Sequence, residues 1–271
     1  MDMDKKRHMF AVCAYKKSEY LERCVKTLCE QTVKSDIIIC TSTPNEYIDG
    51  IAEKYGIPVF IRDGASDIRD DWNFAYNTAN ASFVTVAHQD DEYSEDYVKS
   101  LFDKINSYEK KYDSSSDIIM FLTDYLPIKS GMRGPRDINC RIRKLLRAPL
   151  KSMRLAKIRF VRKMTLSLGN SIVCPSVTYN KDKLGDDVFT SELKFNIDWD
   201  TFLKLALEKG VFLYADKPLT FYRVHDGATS KEFIENHGRE IEDTEMFRKF
   251  WPKWLAKLIM VFYKKAYDTY G

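Results

Sequence analysis

The chain has 271 residues, which is long enough for one large domain with a sizeable core or for one domain with a C-terminal extension. Hydrophobic residues make up 44% and charged residues 31%, which excludes an intrinsically disordered chain. The formal net charge of +3 is too small to indicate nucleic-acid binding, although basic residues concentrate in segments 141–163 and 249–265.

The six cysteines form no CxxC pair, so the sequence predicts neither a zinc site nor a thioredoxin-like motif. Residues 1–8 are charged and the apolar run 9–14 is short, which argues against a signal peptide. No stretch approaches the roughly 18 apolar residues that span a bilayer. We therefore expect a cytoplasmic protein with reduced thiols.

The first half alternates apolar runs, which predict buried strands, with amphipathic stretches, which predict helices. The expected strands are 9–14, 36–40, 58–62, 83–87 and 117–122, and the expected helices are 18–31 (with Ser18 as N-cap), 45–55, 68–80 and 95–111. This alternation predicts parallel strands joined by right-handed crossovers. Ligands bind beyond the carboxyl ends of such strands, which directs attention to loops 15–17, 41–44 and 88–91.

The second half is less regular. Its expected elements are a basic helical stretch at 141–168, a strand at 172–179, a helix at 198–209, strands at 211–215 and 219–224, and two helices after residue 231 that separate near Pro252.

Asp90 and Asp91 directly follow the fourth expected strand. Two adjacent carboxylates at a strand end repel each other unless a cation neutralises them, and a divalent metal held against diphosphate oxygens would do so. An ordinary solvated acidic turn is the alternative interpretation.

Two further segments could carry chemistry. Asp198 and Asp200 open an expected helix, where the carboxylate of Asp198 is either an ordinary N-cap or a general base for a hydroxyl. His225 follows the last expected strand and is either a structural histidine or a metal ligand.

The order and context of these clusters resemble the family 2 glycosyltransferases, which have the GT-A fold. The matching segments lie between residues 9 and 230, and they are FAVCAYKKSEYLERCVKTLCEQT from residue 10, RDDWNFA from 69, FVTVAHQDDEY from 83, DWD from 198 and YRVHDGATS from 222. The resemblance implies an α/β fold with a Rossmann-like, mostly parallel sheet flanked by helices. It implies a GT-A domain over 1–230, with a nucleotide-sugar-binding half at 9–125 and an acceptor-binding half at 126–230, and a C-terminal helical extension over 231–271.

The resemblance also implies an activity: inverting transfer of a hexosyl group from a UDP-, GDP- or dTDP-sugar to a hydroxyl of a glycan or lipid-linked acceptor. Such a reaction belongs to surface polysaccharide or glycoconjugate biosynthesis and uses Mn²⁺ or Mg²⁺. The implied roles are Asp198 as base, Asp91 as direct metal ligand, Asp90 as ribose or metal contact and His225 as a further metal contact. The implied nucleotide-sugar contacts are Ala14, Tyr15, Ser42, Asn73 and Gln89 with Asp90, and the implied acceptor-side residues are Trp199 and Asp200.

The sequence departs from the family pattern at four points. His88 stands where the first acid of the DxD motif is usual, and Thr41-Ser42 replaces the aspartate that usually follows the second strand. Lys16 replaces the asparagine after the tyrosine, and Trp72 replaces the arginine before Asn73.

The two basic segments combine leucine and other apolar residues with lysine and arginine, so either could lie on an anionic membrane surface. The alternative is that both pack on the catalytic domain and keep their charges in water. The first interpretation predicts a location on the cytoplasmic face of a membrane. Neither predicts a nucleic-acid partner, and oligomerisation stays open.

Three other functions compete with glycosyl transfer. A nucleotidyltransferase would need a Gly-rich phosphate loop, and the sequence has neither GxGxxG nor GxxxxGK[ST]. A nucleic-acid-binding protein would need a stronger basic balance. A non-catalytic nucleotide-sugar-binding or scaffold protein that retains the fold would be expected to lose its acids, whereas Asp90, Asp91 and Asp198 are all present.

Overall fold

The computed structural model describes residues 6–129, 131–224 and 238–264. Within these residues nine strands form a single sheet. They are β1 (Lys6–Ala14), β2 (Asp36–Thr41), β3 (Val59–Ile61), β4 (Ala81–His88), β5 (Glu92–Tyr93), β6 (Ile118–Lys129), β7 (Met132–Arg133), β8 (Val177–Asn180) and β9 (Val211–Arg223).

Helices cover the sheet. They are α1 (Leu21–Cys29), α2 (Glu46–Tyr55), α3 (Ile68–Thr78), α4 (Tyr97–Tyr112), α5 (Ile138–Arg147), α6 (Met153–Ala156), α7 (Arg159–Thr165), α8 (Lys181–Leu184), α9 (Ile197–Leu207), α10 (Gly238–Phe250) and α11 (Lys253–Tyr263). The five strands and four helices predicted in the first half are all present.

The strand order is β3-β2-β1-β4-β8-β6-β9-β5, with β7 paired to β6. Strands β1 to β4 pair in parallel, and so do β6 and β9. The short strand β8 is inserted antiparallel between β4 and β6, so β6 points in the same direction as β4. The predicted α/β architecture with a mostly parallel sheet is therefore confirmed.

The core lies along the central strands. Phe10, Ala11 and Val12 of β1 are fully buried in succession, as expected for a parallel strand covered on both faces. Phe10 packs edge-on against Tyr93, which in turn contacts Tyr97 of α4. This aromatic cluster packs the first turn of α4 against β1.

The basic stretch predicted as one helix over 141–168 is instead broken into α5, a 3₁₀ turn, α6 and α7. Pro149 lies in the first turn of the 3₁₀ segment, and Ser152 and Ile158 adopt extended backbone angles. Ser152 lies between the 3₁₀ turn and α6, and Ile158 directly precedes α7, so their extended backbone interrupts the helical periodicity of the sequence.

Other boundaries also differ. The strand predicted at 172–179 is a 3₁₀ turn followed by β8, and the two strands predicted at 211–215 and 219–224 form the continuous strand β9 with a register irregularity opposite Asp124. Ser18 is not the N-cap of α1, which begins at Leu21 with Tyr20 as its N-cap. The Ser18 hydroxyl donates to Asp90 and accepts from the backbone N–H of Tyr20.

Helices α10 and α11 lie on either side of Pro252, as predicted. Met246 and Phe247 of α10 and Met260 of α11 are buried in the same hydrophobic cluster as the sheet. Across the part of the chain that the structure describes, no helix is long and apolar enough to cross a bilayer.

Candidate active site

A cavity of about 210 Å³ opens at the carboxyl end of β4. Asp90 and Asp91, the predicted metal acids, and Asp198, the predicted base, all line it. The fold thus brings together acids from two distant segments. Several other predicted site residues are outside the cavity lining, namely Ala14, Tyr15, Ser42, Asn73, Gln89, Trp199 and Asp200.

The two acids after β4 have different environments. Asp90 is half-buried, and its carboxylate accepts a hydrogen bond from the Ser18 hydroxyl at 2.8 Å. Asp91 is only 2% exposed, and its carboxylate accepts a 2.8 Å bond from the backbone N–H of Arg223. Burial raises the pKa of Asp91 well above its usual value. Asp90 is therefore the more accessible carboxylate, and Asp91 ties the turn to the end of β9.

Arg223 holds this turn from the other side. Its side chain donates to the backbone oxygen of Asp90 at 2.8 Å and to the carboxylate of Glu92 at 2.9 Å. Glu92 also binds Arg23 and Arg133, and these arginines keep its pKa below the usual value although burial acts in the opposite direction. Sequence reasoning missed this arginine cluster, although Arg223 belongs to the quoted YRVH segment.

The side chains at the acidic turn fit only in part the divalent metal that the resemblance implies. The carboxylates of Asp90 and Asp91 are hard oxygen ligands, which Mg²⁺ and Mn²⁺ prefer, and Mg²⁺ usually binds through one or two carboxylates plus substrate phosphates. Among the described residues, however, no group of three or more His, Cys, Asp or Glu side chains could hold a metal alone. His225, the third predicted ligand, lies outside the described residues.

Two departures from the family pattern contact each other. The rings of Trp72 and His88 stack with centroids 4.9 Å apart and an interplanar angle of 24°. Burial lowers the pKa of His88 to about 4, so the imidazole is neutral at pH 7. A neutral stacked pair thus occupies the wall of the cavity where the family pattern has an acid and an arginine.

Asp198 lies in the first turn of α9. One carboxylate oxygen accepts a 2.8 Å bond from the Asn170 side chain, and the other accepts a 2.7 Å bond from the backbone N–H of Trp199. Burial raises the pKa of Asp198 to about 6, which is closer to pH 7 than the pKa of a free aspartate. A carboxylate with this pKa, facing a cavity, is suited to accept a proton near pH 7.

The two residues after Asp198 point away from the cavity. Trp199 is fully buried, donates from its indole nitrogen to the backbone oxygen of Leu166, and stacks on Phe250. Asp200 is buried and pairs with Lys249 at 2.8 Å and Lys204 at 2.9 Å. The predicted acceptor-side role of Trp199 and Asp200 has no support in the structure, because neither side chain reaches the cavity.

A carboxylate from α10 fixes the loop before α9. The Glu242 side chain accepts hydrogen bonds of 2.8 to 2.9 Å from three successive backbone N–H groups, those of residues 194 to 196. Asn196 also donates from its side chain to Asp243 at 2.8 Å. These bonds orient the segment that leads directly to Asp198. Sequence reasoning missed Glu242, because nothing in the helix pattern links it to a loop 46 residues away.

The predicted nucleotide side lies at the ends of β1 and β4. The side-chain amide of Gln89 accepts from the backbone N–H of Tyr15 at 2.9 Å and donates to its carbonyl oxygen at 3.1 Å. Ala14 is buried at the end of β1, whereas Tyr15 is 44% exposed. The turn after β1 therefore presents an accessible aromatic ring from a backbone that Gln89 holds in position.

A carboxylate stands beside Ser42 even though no aspartate follows β2. The Ser42 hydroxyl donates to Asp71 of α3 at 3.0 Å, and Asp71 is also bound by Arg62 at 2.7 Å. Asn73 connects α3 to the segment around Phe189, because its side-chain amide donates to the Phe189 carbonyl at 2.9 Å and accepts from the Phe189 N–H at 3.0 Å.

One protein-family model matches part of the chain. The model of the family described as "Glycosyl transferase family 2" matches residues 10–127, which include the strand, helix and acidic-turn motifs described above. Residues 10–127 therefore match the family that the sequence motifs resemble. No curated protein matches the chain.

Solved structures share the whole fold at low sequence identity. A structure of S. aureus TarS 1-349 in complex with UDP-GlcNAc has a TM-score of 0.59 at 17% identity, over 94% of this chain and 70% of that one. The mannosyltransferase PcManGT from Pyrobaculum calidifontis, in complex with GDP-Man and Mn²⁺, has a TM-score of 0.61 at 12% identity, over 95% of this chain and 70% of that one. These similarities confirm the GT-A fold.

Proposed function

We propose that this chain is an inverting, metal-dependent hexosyltransferase that moves a sugar from a nucleotide-sugar donor to an acceptor hydroxyl. The observation that carries the proposal is the cavity that contains both Asp90 and Asp198. A glycosyltransferase needs one acidic group for the donor diphosphate and metal, and a separate base for the acceptor. These two aspartates meet that need.

In the proposed reaction, Asp198 accepts the proton of the acceptor hydroxyl as its oxygen forms a bond to C1 of the sugar. The bond between C1 and the diphosphate oxygen breaks, and the nucleoside diphosphate leaves with both electrons. A single displacement of this kind inverts the anomeric centre. The raised pKa of Asp198, about 6, supports the assignment, because it makes the carboxylate a stronger base while leaving it mostly ionised at pH 7.

A bound Mn²⁺ or Mg²⁺ would offset the charge that develops on the leaving diphosphate. The resemblance implies Asp91 as the direct ligand, but we assign Asp90 to hold the metal because it is the more accessible acid. Asp91 and His225 remain predicted metal ligands beside it. Arg143, Lys194 and Arg239 also line the cavity and supply positive charge for the same diphosphate.

The donor is a UDP-, GDP- or dTDP-sugar in this proposal. Support comes from the similar structures, which are described as complexes with UDP-GlcNAc and with GDP-Man. The exposed ring of Tyr15 offers a surface on which the nucleobase stacks, and Ser42 with Asp71 offers polar groups beside it.

The acceptor we propose is a glycan hydroxyl, free or lipid-linked, in surface polysaccharide or glycoconjugate biosynthesis on the cytoplasmic side of a membrane. The basic segments at 141–163 and 249–265 support the peripheral location, since cations favour an anionic lipid surface.

A donor screen tests the proposal. Release of nucleoside diphosphate and thermal stabilisation would be measured for UDP-, GDP- and dTDP-sugars with Mn²⁺ or Mg²⁺. We expect one donor to stabilise the protein in a metal-dependent way, with that effect lost in Asp90→Ala and kept in Asp198→Ala. No response to any donor with either metal would instead favour a non-catalytic protein that retains the fold.

A further inference from the structure

Helix α5 turns its apolar side outward. Ile138, Ile142 and Leu145 are 67%, 49% and 74% exposed. At 100° per residue these three lie within roughly 60° of one another around the helix. On the opposite side, Cys140 and Arg147 are buried. We call the stripe formed by Ile138, Ile142 and Leu145 the outer face of α5.

Ion pairs make the inverted orientation stable. Arg147 is fully buried and pairs with Asp124 of β6 at 2.6 Å. Lys144 pairs with the same carboxylate at 3.1 Å and with Asp216 of β9 at 2.8 Å. Lys144 and Arg147 thus face the sheet, and the apolar side chains of α5 are left for something outside the fold to cover.

The exposed apolar surface continues beyond α5. Leu155 of α6, Ile158 and Phe160 are 41%, 47% and 70% exposed, and α5 and α6 both contact α7. Leu168, at the end of the segment, is 48% exposed. Single exposed apolar residues are ordinary on protein surfaces, but seven within one 31-residue segment, 138–168, indicate a binding surface.

The charge of this segment identifies the partner. Residues 138–168 contain ten Lys and Arg and neither Asp nor Glu. Arg141, Arg154 and Arg159 are exposed, and among the described residues none of the three has a charged partner. A second copy of the chain is a poor occupant, because a two-fold contact would bring two cationic segments together. An anionic surface that also accepts apolar side chains is the better match.

We propose that the outer face of α5, with the exposed side chains of α6 and α7, lies on an anionic phospholipid bilayer. This deepens the peripheral location included in the proposed function. Apolar side chains enter the acyl boundary while arginines contact the lipid phosphates, as in other interfacial helices. Arg143, on the same helix, lines the cavity that contains Asp198, so the bilayer would lie beside the acceptor side of the site.

The test is flotation of the full chain with vesicles of phosphatidylcholine alone or with about 30% phosphatidylglycerol, at low and high salt. We expect binding to the anionic vesicles only, weakened by salt. The combined change Arg141→Gln, Arg154→Gln and Arg159→Gln is expected to weaken partitioning roughly 100-fold. Ile142→Gln with Leu145→Gln is expected to weaken it at least about tenfold, because two apolar side chains no longer insert.

Ile241→Gln is the matched control, because Ile241 is an equally exposed apolar residue on α10, outside the basic segment. All substituted side chains are exposed, so unchanged melting temperatures are expected and would show that the variants fold. Binding that is absent, or equal on both vesicle types, would overturn the proposal. So would a dimer in light scattering that the α5 changes dissociate. Donor turnover without vesicles reports the proposed function separately, so the two can fail independently.

Discussion

Helices α9 and α5 both contribute to the cavity, yet they face the fold in opposite ways. Helix α9 is buried by apolar packing, with Trp199 and Phe202 fully enclosed. Polar contacts hold both ends of α9. Glu242 binds the loop before the helix. The guanidinium of the buried Arg162 donates to the carbonyl oxygen of Ala206, in the last turn of α9, and to that of Gly210, just beyond the helix. Carbonyls that a helix leaves unpaired are thereby satisfied.

Helix α5 has the reverse arrangement, with ion pairs inside and leucine and isoleucine outside. The difference teaches that amphipathic periodicity defines two faces of a helix but not which one is buried. The buried Asp124 and the partly exposed Asp216 on the neighbouring strands decide that, because they make the face with Lys144 and Arg147 the better match to the sheet.

The sharpest test of this contrast is Asp198→Asn at the start of α9. We expect kcat to fall roughly 10²- to 10⁴-fold, the range for loss of a general base, with donor binding retained. The melting temperature should not fall, because the variant removes a carboxylate that burial disfavours in its ionised form.

Asp200→Asn is the matched control on the same helix. It removes the partner of Lys204 and Lys249, so it should lower stability. If Asp198→Asn kept full turnover, the base assignment would be wrong.

The second prediction concerns the ion-paired side of α5. Asp124→Asn leaves Arg136, Lys144 and Arg147 without the carboxylate that they share. We expect a loss of about 3 to 5 kcal/mol in the free energy of unfolding, measured by urea denaturation, because it breaks a buried ion pair. Asp216→Asn, at a more exposed carboxylate, should cost about 1 kcal/mol or less. Equal losses at the two positions would contradict the burial of the cationic face.

The third prediction is a pH profile. Because Asp198 must be ionised to accept a proton, kcat should fall about tenfold per pH unit below about 6.

The free energy of unfolding has the opposite dependence on pH. The folded pKa is raised above the unfolded value, so the contribution of Asp198 to stability is fully present below about pH 4 and is lost as pH rises through about 6. The stability difference between the wild type and Asp198→Asn should therefore change between about pH 4 and 6, and a difference that is constant over this range would contradict the shifted pKa.

The smallest expected effect is that of Glu242→Gln. The substitution weakens the carboxylate contacts to three backbone N–H groups, so we expect a loss of about 1 to 2 kcal/mol in stability. A several-fold fall in kcat with unchanged KM for the donor would mark a positioning role toward Asp198. Glu245→Gln, at an exposed site on the same helix, should change neither.

The first half of the fold could be predicted from the sequence because its signals are local. Apolar runs mark β1 to β4 and β6, and Asn45, predicted to begin the second helix, caps α2 through bonds to two backbone N–H groups. The antiparallel direction of β8 and the breaks at Ser152 and Ile158 could not be predicted, because tertiary contacts decide them.

The candidate site could be predicted where its residues lie in a motif. Asp90, Asp91 and Asp198 were found by position, and the structure brings them to one cavity. The contacts that support these acids could not be predicted, because they join separate segments of the chain. They are the stack of Trp72 on His88, the ion pairs of Arg223 and the hydrogen bonds of Glu242. For the same reason, burial of Trp199 and Asp200 was not visible from their place beside the base.

The inserted strand β8 has a consequence for how the protein is made. During synthesis, β6 emerges before either of its main neighbours, β8 and β9, exists. The segment 10–127 that the family model matches would therefore end with unpaired edges on both β4 and β6. Unpaired edges recruit other chains. A fragment that ends where the matched segment ends should thus aggregate. Residues 177–180 form β8, the strand that pairs with both β4 and β6 and so joins the two parts of the sheet once it has been synthesised.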